Sequence, residues 1–254
     1  FMIEFALKYI PRTWLIRLSS IMRLVGPIIY SGNKFTDPID GRNYRKFLPY
    51  GYAGRIRKNA MGPGTNSLER HRLLYLYLKI ETNFFSEKLK LLHIAPEQCF
   101  YFKFKKLHNL DVTFADIESP LADLHFDLHE IPIDNNQYDV VFCNHVLEHV
   151  DNDITCLKEI YRVMKKGGWG IFQVPFVSGV KKTREDPSIK DPIERERLFL
   201  QYDHVRLYGE DYQERLESIG FRVKCTILGQ KLPKKEVLRF AIPKNEPLYI
   251  CFKD

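Results

Sequence analysis

The sequence lacks several features that mark specialised classes of protein. No uncharged apolar stretch approaches the roughly 20 residues that a membrane-spanning helix needs. The N-terminus lacks the polar and small-residue cleavage region of a secretory signal. Cysteines are few, odd in number and scattered, and none forms a C-x-x-C pair: Cys99, Cys143, Cys156, Cys225 and Cys251. We therefore expect a cytoplasmic protein without a disulfide scaffold or a zinc site made of cysteine.

What is present is typical of a globular protein with a full core. The chain has 254 residues, 44% of them hydrophobic and 28% charged. Positive charge is concentrated at the front, because residues 1–72 hold 13 Lys+Arg against 4 Asp+Glu while the remainder holds 26 against 28. A basic region of this kind can attract phospholipid, nucleic acid or an anionic sugar. The alternative is a solvated face without a partner.

Residues 11–25, PRTWLIRLSSIMRLV, have the pattern of an amphipathic basic helix. The apolar residues fall on one helical arc, and arginines lie opposite or beside it. Packing on its own domain or on a second subunit is the favoured interpretation, and peripheral contact with an anionic membrane is the alternative. Residues 26–65 are rich in Gly, Pro, Asn and Asp and predict turns separated by short strands.

Helices and strands then alternate. Asn66 and Glu69 stand at capping-box spacing and predict the start of a helix. From residue 90, short strands alternate with helices, and the helix NDITCLKEIYRVMKK is expected to stop at Gly167 and Gly168. The pattern predicts an α/β fold with a doubly wound, mostly parallel sheet and an N-terminal extension of helix and small strands. Residues 176–208 interrupt the alternation and are interpreted as a substrate or lid insertion.

The ends of the predicted strands supply the candidate site, because open parallel sheets bind ligands beyond the carboxyl ends of their strands. Asp116 lies 21 positions after Ala95, close to the roughly 20-residue interval at which an acidic side chain meets ribose hydroxyls. Asp127 can accept from an exocyclic amine, with Leu128 or Ile131 packing on the base. Either aspartate could instead be an ordinary turn residue.

The turn after the first strand, LLHIAPEQ, contains no glycine. A pyrophosphate needs glycine amides at close range, so a dinucleotide-dependent dehydrogenase is disfavoured. Ala95 is small, Pro96 suits the first helical position, and Glu97 suits a first turn. An adenosine with a zwitterionic amino-acid tail would fit this turn, with Glu97 or backbone carbonyls meeting the ammonium.

Five segments together resemble class I S-adenosylmethionine-dependent methyltransferases with a type 11 methyltransferase domain: LLHIAPE, VTFADI, FDLHEIPIDNNQYDVVFCNHVLEHVDND, CLKEIYRVMKKGGWGIFQVP and HVRLYGEDYQERLESIGFRV. The resemblance covers about residues 68–254. It implies a seven-stranded Rossmann-like sheet whose last strand is antiparallel, with S-adenosylmethionine as the cofactor. The residues expected at the cofactor are His93, Ala95, Pro96, Glu97, Asp116, Ile117, Asp127, Leu128, Asn144 and His145.

Within that resemblance, Asp116 would hold the ribose, Asp127 and Leu128 would frame the adenine, and the loop 93–97 would face the methionine part. The chain departs from the family where relatives usually have an acidic residue followed by Gly-x-Gly. Here those positions are His93, Ala95 and Glu97.

A second resemblance concerns residues 1–67. Some relatives of this form look as though they begin with a four-cysteine zinc ribbon. In this chain Asp37 and Asp40 stand at the first cysteine pair, and Gly62 and Thr65 at the second. The resemblance implies a zinc-ribbon-like segment without metal, followed by the methyltransferase domain at 68–254.

Histidines and charged residues supply the remaining candidates. His145, Glu148 and His149 have helical spacing that could bind a metal, but a structural role is favoured and no metal is predicted. His204, in the insertion, is the predicted general base, and His145 could approach the methyl group; an ordering role in the lid is the alternative for His204. The residues expected to contact the acceptor are Glu185, Asp203, Arg206 and Tyr208, with Arg206 either clamping an acidic acceptor or pairing with Asp203.

The favoured function is methyl transfer from S-adenosylmethionine to a small-molecule, lipid-linked or sugar acceptor, with oxygen as the accepting atom. One alternative is a noncatalytic binding or scaffold protein with the same fold. Another is a nucleic-acid methyltransferase. The sequence disfavours it, because the fourth strand is followed by CNHVLEH instead of an Asn-Pro-Pro-Tyr-like motif of base-methylating enzymes.

Overall fold

The computed structural model describes residues 12–51, 56–177 and 179–254. The chain divides into two compact units. The front unit comprises the described residues up to Phe85 together with Glu97–Lys106 and Ile227–Glu246, and the sheet unit comprises Ser86–Pro96, Leu107–Thr226 and Pro247–Asp254. The front unit thus takes in segments beyond residue 67, and the boundary drawn there from the sequence stays a prediction about domain organisation.

The elements are numbered along the described part of the chain. The helices are α1 (Arg12–Ile29), α2 (Glu69–Glu81), α3 (Gln98–Phe104), α4 (Asp153–Val163), α5 (Pro192–Phe199), α6 (Tyr212–Glu217), α7 (Leu228–Lys231) and α8 (Lys234–Phe240). The strands are β1 (Ser31–Thr36), β2 (Asn43–Tyr44), β3 (Leu48–Tyr50), β4 (Arg57–Met61), β5 (Leu89–Ile94), β6 (Leu110–Asp116), β7 (Leu124–His125), β8 (Tyr138–Cys143), β9 (Met164–Ile171), β10 (Arg184–Glu185), β11 (Arg206–Leu207), β12 (Arg222–Thr226) and β13 (Leu248–Phe252).

A seven-stranded sheet forms the centre of the sheet unit, in the order β12-β13-β9-β8-β5-β6-β7. Strand β13 runs antiparallel to both of its neighbours, and the remaining pairs are parallel. The predicted α/β fold with a mostly parallel, Rossmann-like sheet and an antiparallel last strand is confirmed. The last strand lies inside the sheet, between β12 and β9, so β12 forms the edge.

Burial explains why β5 and β8 are central. Leu91–Ile94 of β5 and Val140–Cys143 of β8 are buried throughout, and they are apolar apart from His93. Strands covered on both faces have this composition. Alternate residues such as Leu92, Ile94 and Cys143 join one core cluster, to which α4 contributes buried side chains such as Leu157 and Ile160.

The sequence placed the end of α4 and the start of β9 wrongly. The helix ends at Val163, and β9 begins at Met164, so Gly167 and Gly168 lie within a strand and do not terminate the helix. Gly167 has φ +79°, and the β8–β9 register shifts between the pairs at Tyr138 and Val140. The glycine pair therefore accommodates an irregularity in the strand. Glycine is also common at helix ends, so the sequence alone does not distinguish the two roles.

The insertion 176–208 is partly ordered by a short antiparallel pair, in which Arg184 and Glu185 lie opposite Leu207 and Arg206. Helix α5 lies between these strands in the chain, with Asp191 capping its first turn. The interruption predicted from the sequence is thus present as β10, α5 and β11. Its role as a lid stays a prediction.

Two small hairpins, β1–β2 and β3–β4, form the sheets of the front unit. The turns that follow β1 and β4 are joined by Asp37, which is 0% exposed. Its Oδ1 accepts the N–H of Ile39 at 3.0 Å, and its Oδ2 accepts the hydroxyls of Thr65 at 2.5 Å and Ser67 at 2.7 Å. One carboxylate therefore links both turns.

Arg72 of α2 extends this buried network and is also 0% exposed. Its guanidinium donates to the Ser67 hydroxyl and to the carbonyls of Ala60, Ser67, Phe240 and Ala241. Burial lowers the pKa of this guanidinium, and the charge of Asp37 opposes that effect. The network thus pairs a buried cation and a buried anion through Ser67.

The positions compared with zinc-ribbon cysteines lie in these turns. Besides the contacts of Asp37 and Thr65, Asp40 accepts the hydroxyl of Tyr44 at 2.5 Å. A Cβ at Gly62 would lie 2.3 Å from Asp37 Oδ2, so the turn needs glycine there. Hydrogen bonds hold the two turns, and the zinc-ribbon-like description of the segment stays a prediction.

The predicted capping box at the start of α2 is wrong. Leu68 is the N-cap residue, and its N–H donates to Nδ1 of His71 at 3.0 Å. Glu69, expected to reach back to the cap, instead pairs with Arg57 at 2.8 Å. Among the described helices, none is both long enough and apolar enough to cross a membrane.

Candidate active-site cleft

A cleft of about 380 Å³ opens in the sheet unit, where β5 and β8 lie side by side and the chain leaves them toward opposite edges of the sheet. Ligands of open α/β sheets bind at such a reversal, and this volume falls within the range of small-molecule sites. The cleft is lined by Ile94, Ala95, Asp116, Ile117, Phe126, Asp127, Leu128, His129, Val146, His149, Val150 and Asp151.

Ala95 forms the turn at the floor of this cleft and has φ +50°. Its N–H donates to the carbonyl of Ala115 at 2.7 Å, which keeps the turn against β6. A left-handed backbone costs a residue with a Cβ about 1–2 kcal/mol, and glycine adopts it freely. The backbone shape usual for glycine is therefore retained by an alanine, whose methyl group occupies part of the turn.

Asp116 ends β6 with its carboxylate fixed by the backbone that follows. Oδ1 accepts the N–H groups of Glu118 at 2.9 Å and Ser119 at 2.8 Å. These two bonds fix the side-chain rotamer. The side chain lines the cleft as predicted.

Asp127 is held in a chain of hydrogen bonds that runs to the start of α4. Its Oδ1 accepts the N–H of His129 and lies 2.6 Å from the Nδ1 of that ring. The Nε2 of His129 accepts the N–H of Asn152 at 3.2 Å, which places the ring hydrogen on Nδ1. The hydrogen bonds from the His129 backbone and ring hold the pKa of Asp127 below its ordinary value, so the carboxylate is ionised at neutral pH.

The rest of the wall is apolar, with Ile117, Phe126, Leu128 and Val146 among the lining residues. Aspartates supply the formal charge, and none of the described lining residues is lysine or arginine. Such a site suits a cation with hydroxyl and amine donors and a flat apolar ring, and it suits a polyphosphate poorly. S-adenosylmethionine, which carries a sulfonium, a ribose and an adenine, fits this donor set.

Several residues expected at the cofactor lie elsewhere. His93 is 0% exposed, with its ring 5.8 Å from that of Phe114 and 5.7 Å from that of Phe142, so it belongs to the core. Asn144 is 4% exposed, and its Oδ1 accepts the N–H of Gln173. Pro96 is buried and is not among the lining residues. Glu97 caps α3 and belongs to the front unit.

A cluster of histidines surrounds the buried carboxylate of Glu148. Glu148 is 1% exposed, and its Oε1 lies 3.3 Å from Nδ1 of His145 and 4.0 Å from Nε2 of His149. The His149 ring meets the His204 ring edge-on at 4.8 Å. His149 is the member of this cluster that lines the cleft. His145 has φ +56° and pairs with Glu148 instead of entering the cleft wall.

His204, the predicted general base, is 5% exposed. Its Nδ1 lies 3.1 Å from the carbonyl oxygen of Phe199. Burial lowers the pKa of His204, so the ring is neutral at pH 7. Its ring contacts that of His149, which lines the cleft.

Three of the predicted acceptor residues, Glu185, Arg206 and Tyr208, share a network around the buried Asp153, and Asp203 does not belong to it. Tyr208 is 0% exposed and donates its hydroxyl to Asp153 Oδ2 at 2.7 Å. Arg206 is 1% exposed and donates to Glu185 and to three carbonyls, those of Leu147, Val150 and Asp151. The suggested pair of Arg206 with Asp203 is thus wrong: Asp203 lies beside His149 and accepts from Gln201.

The segment between β8 and α4 contains LEHV at residues 147–150, which the family resemblance implies closes the cofactor pocket, but the sequence did not single out its individual lining residues. Val146, His149, Val150 and Asp151 all come from this segment. The available signal was its position, since it leaves the carboxyl end of a central strand and ends at the α4 cap Asn152. His129 was missed because its role depends on hydrogen bonds to residues on both sides of the cleft.

Comparison with known proteins connects the cleft to a family. A family model described as a methyltransferase domain matches residues 93–172, the range from within β5 to just beyond β9. The match includes Ala95, Asp116, Asp127 and His149. No curated protein matches the chain.

Three solved structures illustrate the similar chains. A SAM-dependent methyltransferase from Archaeoglobus fulgidus is 16% identical, with a TM-score of 0.44, 70% of this chain covered and 92% of that chain. A candidate sarcosine dimethylglycine methyltransferase from Galdieria sulphuraria is 15% identical, with a TM-score of 0.45 and coverage of 73% and 86%. A candidate methyltransferase from Bacillus halodurans is 16% identical, with a TM-score of 0.42 and coverage of 66% and 94%.

The range matched by the family model carries the turn, both aspartates and the histidine that together make most of the cleft. The matched segment, residues 93–172, therefore resembles a methyltransferase domain, and it lines the cleft at which the cofactor of such an enzyme would bind.

Proposed function

We propose that the cleft binds S-adenosylmethionine and that the methyl group goes to an oxygen atom of a small-molecule, lipid-linked or sugar acceptor. Asp116 would accept from the ribose hydroxyls, and Asp127 and Leu128 would contact the adenine. The turn at Ala95 would face the methionine part. When bound, the cofactor supplies an electrophilic methyl group on a sulfonium.

The charge of the cleft supports this cofactor placement. Asp116, Asp127 and Asp151 lie on its walls, and the hydrogen bonds of Asp127 keep that carboxylate ionised. The apolar side chains beside them exclude water, which strengthens charge interactions and favours alignment of the reacting groups.

The single observation that favours an oxygen acceptor is the His149 imidazole in the cleft wall. A hydroxyl loses its proton during methylation, and a positioned imidazole is suited to receive one. The ring of His149 contacts the ring of His204, and Nδ1 of His149 lies 3.5 Å from the carboxylate of Asp203. His204 and His145 would then position the base or take part in the proton transfer.

A calorimetric titration with S-adenosylhomocysteine tests the cofactor site. Asp116→Asn should keep the bonds from Glu118 and Ser119 through its remaining oxygen while losing the charge. We expect micromolar binding to weaken by at least about tenfold, since a hydrogen bond to a charged group contributes roughly 1.5–3 kcal/mol. The control is Asp111→Asn, an exposed aspartate on the same strand. Equal binding by both variants would remove Asp116 from the proposed site.

The acceptor is sought with methyl-labelled cofactor and fractionated extract. We expect label in a small-molecule, lipid or glycan fraction, as an ether or ester. Salt-sensitive transfer to nucleic acid would instead favour the alternative substrate class.

Helix α1 supports a lipid-linked acceptor in particular. Ile21, Leu24 and Ile28 are 57%, 76% and 79% exposed, and the first 72 residues carry nine more basic than acidic residues, 13 − 4. We propose that this face contacts anionic lipid, since apolar area and basic charge together give interfacial binding. Sedimentation with phosphatidylglycerol vesicles should fall at least about tenfold for Leu24→Glu/Ile28→Glu, and binding equal to that of the unchanged protein would contradict the proposal.

A further inference from the structure

Glu148 is a buried carboxylate with a hydrogen-bond partner at only one of its two oxygens among the described residues. It is 1% exposed, its Oε1 has His145 Nδ1 at 3.3 Å, and its Oε2 is buried without a hydrogen-bond partner among the described residues. Burial acts to raise the pKa of Glu148, but the interactions with His145 and His149 outweigh burial and hold the pKa below its ordinary value. A buried anion with an unpaired oxygen is costly unless a cation neutralises it.

Two imidazoles beside this carboxylate are oriented by acceptors on their Nδ1 side. In His149, Nδ1 lies 3.4 Å from the backbone oxygen and 3.5 Å from Oδ2 of Asp203. In His204, Nδ1 lies 3.1 Å from the carbonyl oxygen of Phe199. Because oxygen acceptors of these kinds require a donor, both rings carry their hydrogen on Nδ1 when neutral, and their Nε2 atoms retain a lone pair.

This arrangement is the one that histidine ligands of metals adopt. A ligating histidine generally donates its other ring N–H to a carboxylate or a backbone carbonyl, which fixes the tautomer and the ring orientation. His149 has a carboxylate and a carbonyl in that position, and His204 has a carbonyl. The supporting contacts of a metal site are therefore in place around Glu148.

The three candidate ligand atoms also converge. One ligand atom from each of Glu148, His149 and His204 lies within 4.8 Å of the others. Tetrahedral bonds of about 2.0–2.1 Å would place ligand atoms roughly 3.4 Å apart. Closing the set thus needs movements of about 1 Å or slightly more, and the His149 side chain, 32% exposed, has room to make them.

We propose that Glu148, His149 and His204 bind one divalent transition-metal ion, such as zinc, beside the cofactor cleft. Two imidazoles and a carboxylate are a recurrent ligand set for zinc and for iron(II). Magnesium and calcium prefer all-oxygen sites, so they should bind this set weakly. The sequence prediction of a structural role for His149 and of no metal is replaced here by a site that includes His204, 55 residues further along the chain.

Three protein ligands leave at least one coordination position open. Because His149 also lines the cleft, that position can face an acceptor bound there. An ion so placed would polarise an acceptor hydroxyl and lower its pKa. This role rests on the proposed oxygen methylation. With the ion bound, His149 and His204 are both ligands and neither acts as the general base, because the ion activates the hydroxyl in their place. Metal binding itself does not depend on the acceptor.

The test begins with the full chain stripped of metal by a chelator and titrated with Co²⁺ and with Zn²⁺. We expect one equivalent to bind with an apparent Kd below about 10 µM and bound Co²⁺ to show the visible absorption of a low-symmetry site with nitrogen ligands. The melting temperature should rise with Zn²⁺ concentration, as linkage requires, and fall back when chelator is added. Mg²⁺ at the same concentration should leave the melting temperature unchanged.

Variants then locate the ion. His204→Asn and His149→Asn place an amide N–H near the Nδ1 position, which preserves the supporting hydrogen bond and removes the ligand atom. Glu148→Gln removes the anionic ligand with little change of shape. Each should raise the Kd for Zn²⁺ at least tenfold, whereas the control His125→Asn, which removes an exposed histidine on β7, should leave it unchanged.

Failure of the site is distinguishable from failure of the methylation proposal, because cation binding is measured without acceptor. Binding weaker than about 100 µM by the unchanged protein would overturn the site. Tight binding that all three variants retain would do so too. Should a variant fold poorly, as judged by circular dichroism, the unchanged protein still decides through its Co²⁺ spectrum and its Zn²⁺-dependent melting.

Discussion

Asp37 in the front unit and Glu148 in the sheet unit are both carboxylates almost without exposure, and they differ in how far they are satisfied. Asp37 accepts from a backbone N–H and two hydroxyls, and both of its oxygens are used. Glu148 has His145 at one oxygen, and its second oxygen has no hydrogen-bond partner in the part of the chain that the structure describes.

The difference separates a structural from a functional use of the same chemical group. A buried carboxylate with hydrogen bonds at both oxygens holds its neighbours in one arrangement and offers little capacity for a ligand. A half-bonded one destabilises the fold unless something else completes it, and such groups concentrate at functional sites. The four predictions that follow use stability to test this distinction.

The largest effect is expected for Asp37→Ala. The change would leave the hydroxyls of Thr65 and Ser67 and the N–H of Ile39 unpaired, and it would remove the anion that offsets the charge of Arg72. Breaking one side of a buried charge network costs about 3–5 kcal/mol. Hydrogen exchange of peptides within residues 31–81 should report a loss of that size in the free energy of opening.

Asp40→Asn is the matched control on the same turn. Burial and the neighbouring charge of Asp37 raise the pKa of Asp40, so its charged form contributes little stability. We expect a change below about 1 kcal/mol, and an effect as large as that of Asp37→Ala would refute the special role of Asp37.

Asp153→Asn should rank second. Asp153 is 0% exposed and lies 2.6 Å from a guanidinium nitrogen of Arg215. Burial acts to raise the pKa of Asp153, but the hydrogen bond from Arg215 and the charge of Arg206 outweigh it and hold the pKa below its ordinary value. Because the partner is partly exposed, we expect a loss of about 2–3 kcal/mol in urea unfolding at pH 7.

The same variant gives a pH test with a defined sign. A carboxyl whose folded pKa is depressed contributes stability above its unfolded pKa of about 3.9, and that contribution disappears as the pH falls through the folded value. The difference between the unchanged protein and Asp153→Asn should therefore shrink below about pH 4. A difference that stays constant from pH 7 to pH 3 would contradict this assignment.

Glu148→Gln should have a smaller effect on the stability of the chelator-treated protein. The carboxylate is only half satisfied, so a neutral amide removes a buried charge and keeps a hydrogen-bonding group of similar shape. We expect a change within about 1 kcal/mol in urea unfolding. A loss as large as that of Asp37→Ala would place Glu148 among the structural carboxylates.

The smallest effect is expected for Ala95→Gly. Relief of the left-handed strain of about 1–2 kcal/mol is largely offset by the greater freedom of glycine in the unfolded chain, about 0.5–1 kcal/mol. The melting temperature should change by only a few degrees. Ala95→Val, which adds a branched side chain at φ +50°, should lower it clearly and serves as the contrast.

Much of the site could be predicted because it follows from strand ends. Ala95, Asp116, Ile117, Asp127 and Leu128 were predicted and line the cleft. His93 could not be separated from them by sequence, since strand alternation turns its side chain away from that of Ile94 and toward the rings of Phe114 and Phe142. The capping box and the end of α4 failed because local signals were outweighed by hydrogen bonds and burial formed elsewhere.

The order of buried strands, turns and charges along the chain was enough to predict the parallel sheet and the aspartates at the strand ends, and the family resemblance implied the cofactor. These properties depend on neighbours in sequence and on the period of apolar residues. Only tertiary structure decided that both oxygens of Asp37 accept hydrogen bonds and that Oε2 of Glu148 accepts none among the described residues. The hydroxyls that Asp37 accepts belong to residues 28 and 30 positions away, and such partners meet only when the chain has folded.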